Sequence, residues 1–155
     1  MPAEPLRALS CNDDAGIRRA VDVIVRRCGY DLVGDVGAAG EAIVAAGVAE
    51  PDVVVLDLAL AGDLGLGAVA GLHAVCPRCV VIVVSSFDSM RQAALAAGAY
   101  DFVGNADLRA LERALRRLAS TRSGRGGASG QADRAPTPAG SGAVSGTVNT
   151  KAPAS

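Results

Sequence analysis

PDVVVLDL, residues 51–58, is the stretch whose reading decides the fold. Val53 to Leu56 form an unbroken apolar run, the pattern of a short strand buried on both faces, as in a parallel sheet. Pro51 and Asp52 mark its entry. Asp57 follows the run directly, and a carboxylate there is costly unless the strand ends at a polar rim where partners wait. The rest of the chain has to supply those partners.

Outward from this strand, apolar runs alternate with helical patterns. On the N-terminal side, LRALSC (6–11) reads as a strand and NDDAG (12–16) as a loop. Asp14 then stands at the start of a helix to about Arg27, with Ile17, Ala20, Val21, Ile24 and Val25 at helical spacing. YDLVGDV (30–36) is a second strand and AAGEAIVAAGV (38–48) a second helix. On the C-terminal side a helix from about Leu66 to Val75 leads to the strand CVVIVVSS (79–86). SMRQAALAAGA (89–99) is a fourth helix, AYDFVG (99–104) a fifth strand, and DLRALERALRRLAS (107–120) a last amphipathic helix. Five strands alternating with five helices predict an α/β fold, a doubly wound parallel sheet with right-handed crossovers.

Composition sets the outer limits. Half of the 155 residues are hydrophobic and aromatics make up 3%, so the core is built from Ala, Val and Leu. Residues 1–119 carry 11 Arg against 15 Asp and Glu, which argues against a nucleic-acid-binding body. The N-terminus lacks the basic start and apolar run of a signal peptide, and no apolar segment approaches a membrane span, so a cytoplasmic location away from membranes is expected. Residues 120–155 are dominated by Gly, Ala, Ser, Thr and Pro, and a disordered tail is expected there. Cys76 and Cys79 of CPRC follow a helical pattern rather than opening a helix, so they read as reduced loop cysteines. Adding His73 gives a zinc set without an obvious fourth ligand.

In a doubly wound sheet, ligand sites lie at the carboxyl ends of the strands. That rule selects Asp13 and Asp14 after the first strand, Asp57 at the end of the third, Ser85 and Ser86 after the fourth and Asn105 after the fifth. Converging carboxylates repel one another unless a cation intervenes, and Mg²⁺ suits a site of few carboxylates completed by water and phosphate oxygens. With phosphoryl oxygens so held, an aspartate can act as nucleophile toward a phosphoryl donor, and a hydroxyl at Ser85 can donate to another of those oxygens.

Over residues 5–119 the sequence resembles the receiver domain of two-component response regulators. The acidic pair in CNDDAG, the acceptor motif PDVVVLDL, the downstream GDLG, the hydroxyl in VVIVVSSFD and the segment AAGAYDFV fall in the family's order and spacing. The resemblance implies a flavodoxin-like sheet of order 2-1-3-4-5. It also implies a phosphoryl group accepted on Asp57 from a sensor histidine kinase or phosphotransfer protein, with Mg²⁺ bound. Asp13, Asp14, Asp57 and the backbone carbonyl of Ala59 would hold the metal. Ser85 matches the switch hydroxyl and Phe102 the switch aromatic, and the last helix is one through which family members form homodimers.

Two departures stand out. Asn105 occupies the place of the family's lysine, and the chain's single lysine is Lys151; Ala61 stands where a Pro-Gly turn is usual. Phosphorylation poorly coupled to a structural switch is therefore expected. The leading reading is a stand-alone receiver, with no enzymatic turnover beyond self-phosphorylation and self-dephosphorylation. The alternatives are a phosphorylation-independent interaction module and a truncated DNA-binding regulator. An aspartate-nucleophile phosphohydrolase is disfavoured because Ala59 replaces the second aspartate such enzymes place two residues on.

Overall fold

The computed structural model describes residues 4–59 and 65–127. The strands are β1 (Leu6–Cys11), β2 (Tyr30–Val36), β3 (Val53–Asp57), β4 (Val80–Ser85) and β5 (Asp101–Gly104). The helices are α1 (Ala15–Arg27), α2 (Ala39–Ala49), α3 (Gly67–Val75), α4 (Arg91–Ala96) and α5 (Leu108–Gly127). All strand pairs are parallel and the order is β2-β1-β3-β4-β5, as the alternation predicts. The compact body ends at Arg117.

The apolar run of β3 is central, hydrogen-bonded to β1 on one side and β4 on the other. Val53 to Leu56 are at most 3% exposed, and Asp57 is the first residue of the strand to reach water. Alternation along the strands sends Leu9, Cys11, Val54, Leu56, Val81, Val83 and Phe102 to one face. There they form a single core with alanines of α2 and α3, Val69 and Leu72. The small side chains let helices approach closely: a Cβ on Gly71 would lie 2.8 Å from Ile43 of α2. Ala8, Val53, Val55, Ile82 and Val103 point the other way and are equally buried. On that face Tyr30 donates its hydroxyl to the carbonyl of Leu115, tying β2 to α5.

Several element ends depart from the sequence expectation. The fourth helix divides into a 3₁₀ turn, Asp88–Met90, and a six-residue helix. β5 starts only at Asp101, although Tyr100 already donates its N–H to the carbonyl of Val81. The last helix runs to Gly127, past the expected end of the folded part at 119. Residues 128–155 of the expected tail, and Ala61 and Gly62 of the turn after β3, lie outside the described residues. Cys76 and Cys79 stand at the two ends of the turn between α3 and β4, as expected of reduced loop cysteines, but they are buried against the core, 4% and 2% exposed, and neither is in a disulfide.

β1 and β2 are out of step by one residue between Ala8 and Leu9, so that Leu9 faces Gly34. A Cβ on Gly34 would stand 2.6 Å from the Cδ1 of Leu9, which is fully buried and has nowhere to retreat. Gly34→Ala is therefore expected to destabilise the fold by about 1–3 kcal/mol, the usual cost of overpacking. Urea denaturation at constant m-value checks it; an unchanged midpoint would show that Leu9 can move aside.

Candidate functional site

Asp13, Asp14 and Asp57 come from the β1–α1 loop and the end of β3, and they form one electrostatic group. Burial raises the proton affinity of Asp57 most; the backbone N–H of Ala59 opposes this, and the charges of Asp13 and Asp14 raise it further. The Ala59 N–H donates to Asp57 Oδ1 at 2.9 Å, folding the chain back over the carboxylate. Among the described residues no basic side chain pairs with any of the three. Beneath them lies Cys11, whose thiol is pushed up to about 12 by burial first and then by Asp57, Glu41, Asp13 and Asp35.

The loop carrying the acidic pair is built around Asn12, a buried residue that the sequence reading did not single out. Its N–H donates to the Val36 carbonyl, and its Oδ1 accepts the Asp14 N–H at 2.9 Å. Arg18 closes the loop by donating Nε and Nη2 to the Asn12 carbonyl while lying 3.4 Å from Asp35. Arg18 is thus turned toward the loop. Asp14 has a second duty: its Oδ1 accepts the Ile17 N–H and caps α1.

These carboxylates fit a hard cation only in part. Among the described residues no three Asp, Glu, His or Cys side chains are drawn into a ready metal cage. The donor set matches an ion that keeps most of its water and takes one or two carboxylates, as Mg²⁺ does. His73, Cys76 and Cys79 form no such cage either. His73 instead packs its ring at Gly98, where a Cβ would lie 3.3 Å from Cε1.

Ser85 and Asn105 form the second part of the rim. Ser85 is 3% exposed; its Oγ accepts the Phe87 N–H at 3.0 Å, and its carbonyl accepts the Asn105 N–H at 3.0 Å. They line a hollow of about 290 Å³ with Ser86, Asp88, Gly104, Ala106 and Asp107. The β3–β4 register aligns Asp57 with Val84, one residue before Ser85, so the acidic pocket and this hollow occupy neighbouring strand ends. Phe102 does not join them: its ring is 2% exposed and belongs to the core on the α2–α3 face.

A parallel sheet of this order with carboxylates at adjoining strand ends defines a doubly wound α/β protein whose site is at its carboxyl rim. The profile of the response regulator receiver domain matches residues 8–116, and the chain belongs to that family. It is similar to chemotaxis protein CheY of Thermotoga maritima, 28% identical over 99 residues that span 63% of this chain and 82% of that protein. Among solved structures, it resembles the response regulator domain of Thermotoga maritima CheB at 26% identity and a TM-score of 0.60, covering 77% of this chain and 96% of that one. A LuxR-family two-component response regulator from Aurantimonas sp. SI85-9A1 is similar at 25% identity and a TM-score of 0.62, over 77% and 99% of the two chains. No helix among the described residues is long and apolar enough to cross a membrane.

Proposed function

We propose that Asp57 is a phosphoacceptor, charged by a sensor histidine kinase or phosphotransfer protein, and that the phosphorylated state is passed on by protein contact. A carboxylate oxygen of Asp57 forms the new bond to phosphorus while the bond from phosphorus to the donor's imidazole nitrogen breaks and its electron pair leaves with the imidazole. Mg²⁺, when bound, supplies charge neutralisation for the phosphoryl oxygens. Asp13, Asp57 and the Ala59 carbonyl would hold it, with Asp14 contributing whichever oxygen its cap leaves free. Ser85 would donate its hydroxyl proton to a phosphoryl oxygen. The chain acts as a signalling module rather than by turning over a substrate, and its place is the cytoplasm, where such kinases present their phosphohistidine.

The observation that carries this reading is Asp57 itself: half-buried at the end of the central strand, raised in proton affinity beside Asp13 and Asp14, and without a basic partner among the described residues. Acetyl phosphate with Mg²⁺ is expected to add one phosphoryl group by intact mass. Absence of any gain with acetyl phosphate and with a phosphorylated kinase would leave the second reading, a phosphorylation-independent interaction module, which Asn105 favours.

Docking is assigned to the groove of about 460 Å³ between α1 and α5, floored by Ala20, Val23, Ile24 and Leu108 and rimmed by Arg19, Arg27 and Arg109. Arg27 is paired with Glu112, whereas Arg19 and Arg109 form no ion pair among the described residues. Rim charges act on encounter rate and its salt dependence. Arg19→Glu with Arg109→Glu is expected to slow transfer from a phosphorylated kinase by about tenfold at low salt, while labelling by acetyl phosphate stays unchanged. Equal slowing with both donors would place these arginines outside docking.

A further inference from the structure

Phe102 is contacted at both its ring and its backbone by one side chain from another element. The Arg91 guanidinium lies over its ring, 4.9 Å from Cζ to centroid. The same group donates Nη1 to the carbonyl of Phe102 at 3.0 Å and Nη2 to Asp88 Oδ1 at 3.1 Å. Arg91 thus spans the core aromatic, the β5 backbone and the turn that follows Ser85. A planar guanidinium can stack and donate in two directions at once, which an ammonium cannot. The ring's remaining surroundings are the apolar core, so the guanidinium is the group that lies between it and solvent on this side.

We propose that Arg91 is a positioning residue that latches Phe102 in its inward position. For the ring to leave the core, the stacking contact and the bond to its own carbonyl have to break together. The latch joins α4, the turn at Asp88 and β5, and does not rest on Asp57 accepting phosphate. It can therefore be tested without Mg²⁺ or any phosphoryl donor.

The chain has two phenylalanines, which makes the test direct. Labelling with fluorophenylalanine gives two ¹⁹F resonances, with Phe87, 63% exposed, as internal reference for Phe102, 2% exposed. A soluble paramagnetic relaxation agent is expected to broaden Phe87 several-fold more than Phe102 in the native protein. In Arg91→Ala that protection ratio falls toward one or the Phe102 signal splits between two environments, and Arg91→Lys restores part of it. Asp88→Ala, which leaves the core untouched but frees Nη2, lowers the ratio less and keeps the test open should Arg91→Ala fold poorly. A ratio in Arg91→Ala equal to the native one, with folding verified by circular dichroism, would overturn the latch. So would a Phe102 signal as accessible as Phe87 in the native chain, or an unchanged ratio in both Arg91→Lys and Asp88→Ala.

Discussion

Asp57→Asn is expected to abolish phosphoryl incorporation from every donor and at the same time to raise the melting temperature at neutral pH. The first effect follows from chemistry: an amide oxygen is a poor nucleophile, and among the described residues no other carboxylate lies at the end of the central strand. The second follows from electrostatics. In the folded chain Asp57 releases its proton above the ordinary value of 3.8, because burial, Asp13 and Asp14 outweigh the Ala59 N–H. Between the unfolded and folded values the native state keeps a proton that the unfolded state has lost, so stability falls as pH rises through that window. Above it the whole cost is present; below the unfolded value it is gone.

Asparagine removes the titrating group, so its stabilisation is expected in full at neutral pH and fades as pH drops to about 4 and below. Melting curves across that range check it, and saturating Mg²⁺ should narrow the difference by relieving the same repulsion. A variant less stable than the parent at neutral pH, with the parent gaining nothing from Mg²⁺, would mean that Asp57 is not under carboxylate pressure. Retention of the added phosphoryl mass in the variant would move the acceptor elsewhere.

The sheet was legible because its signal is local: Val53–Leu56 and Val81–Val84 are buried runs whose length and turn-bounded ends admit little but strands. The carboxylate rim was legible by the same logic, since topology alone places strand ends together. What was not legible depends on contacts between residues far apart or on side-chain direction. Asn12 gives no sign in sequence that it is buried or that Arg18 will grip its carbonyl. Arg91 looks like an ordinary helix charge until the turn at Asp88–Met90 aims it at β5. Asp14 was readable as a cap and as a metal ligand, and the structure gives its Oδ1 to the cap. The CPRC cysteines were readable as loop residues but their burial was not, because the turn joining them, closed by the Cys79 N–H on the Cys76 carbonyl, packs against the core.

Asn105→Lys is expected to give the largest gain of function. Asn105 follows β5 and is tied by its backbone N–H to the Ser85 carbonyl, so its side chain stands at the hollow beside the acidic pocket. An amide there offers neutral hydrogen bonds, whereas an ammonium offers charge-assisted ones about twice as strong to a phosphorylated Asp57. The difference is about 1 kcal/mol, or roughly fivefold in the equilibrium linking phosphorylation to movement of the segments after β4 and β5. Hydrogen exchange of residues 85–90 and 104–108 is the measurement, taken with and without the phosphoryl group. In the parent, phosphorylation should change protection mainly around Asp57, leaving those segments nearly as they were. In the variant their protection should rise by about the same factor, without any change in the burial of Phe102, which Arg91 governs separately. Exchange in both segments that responds equally in parent and variant would show that the asparagine already couples the site.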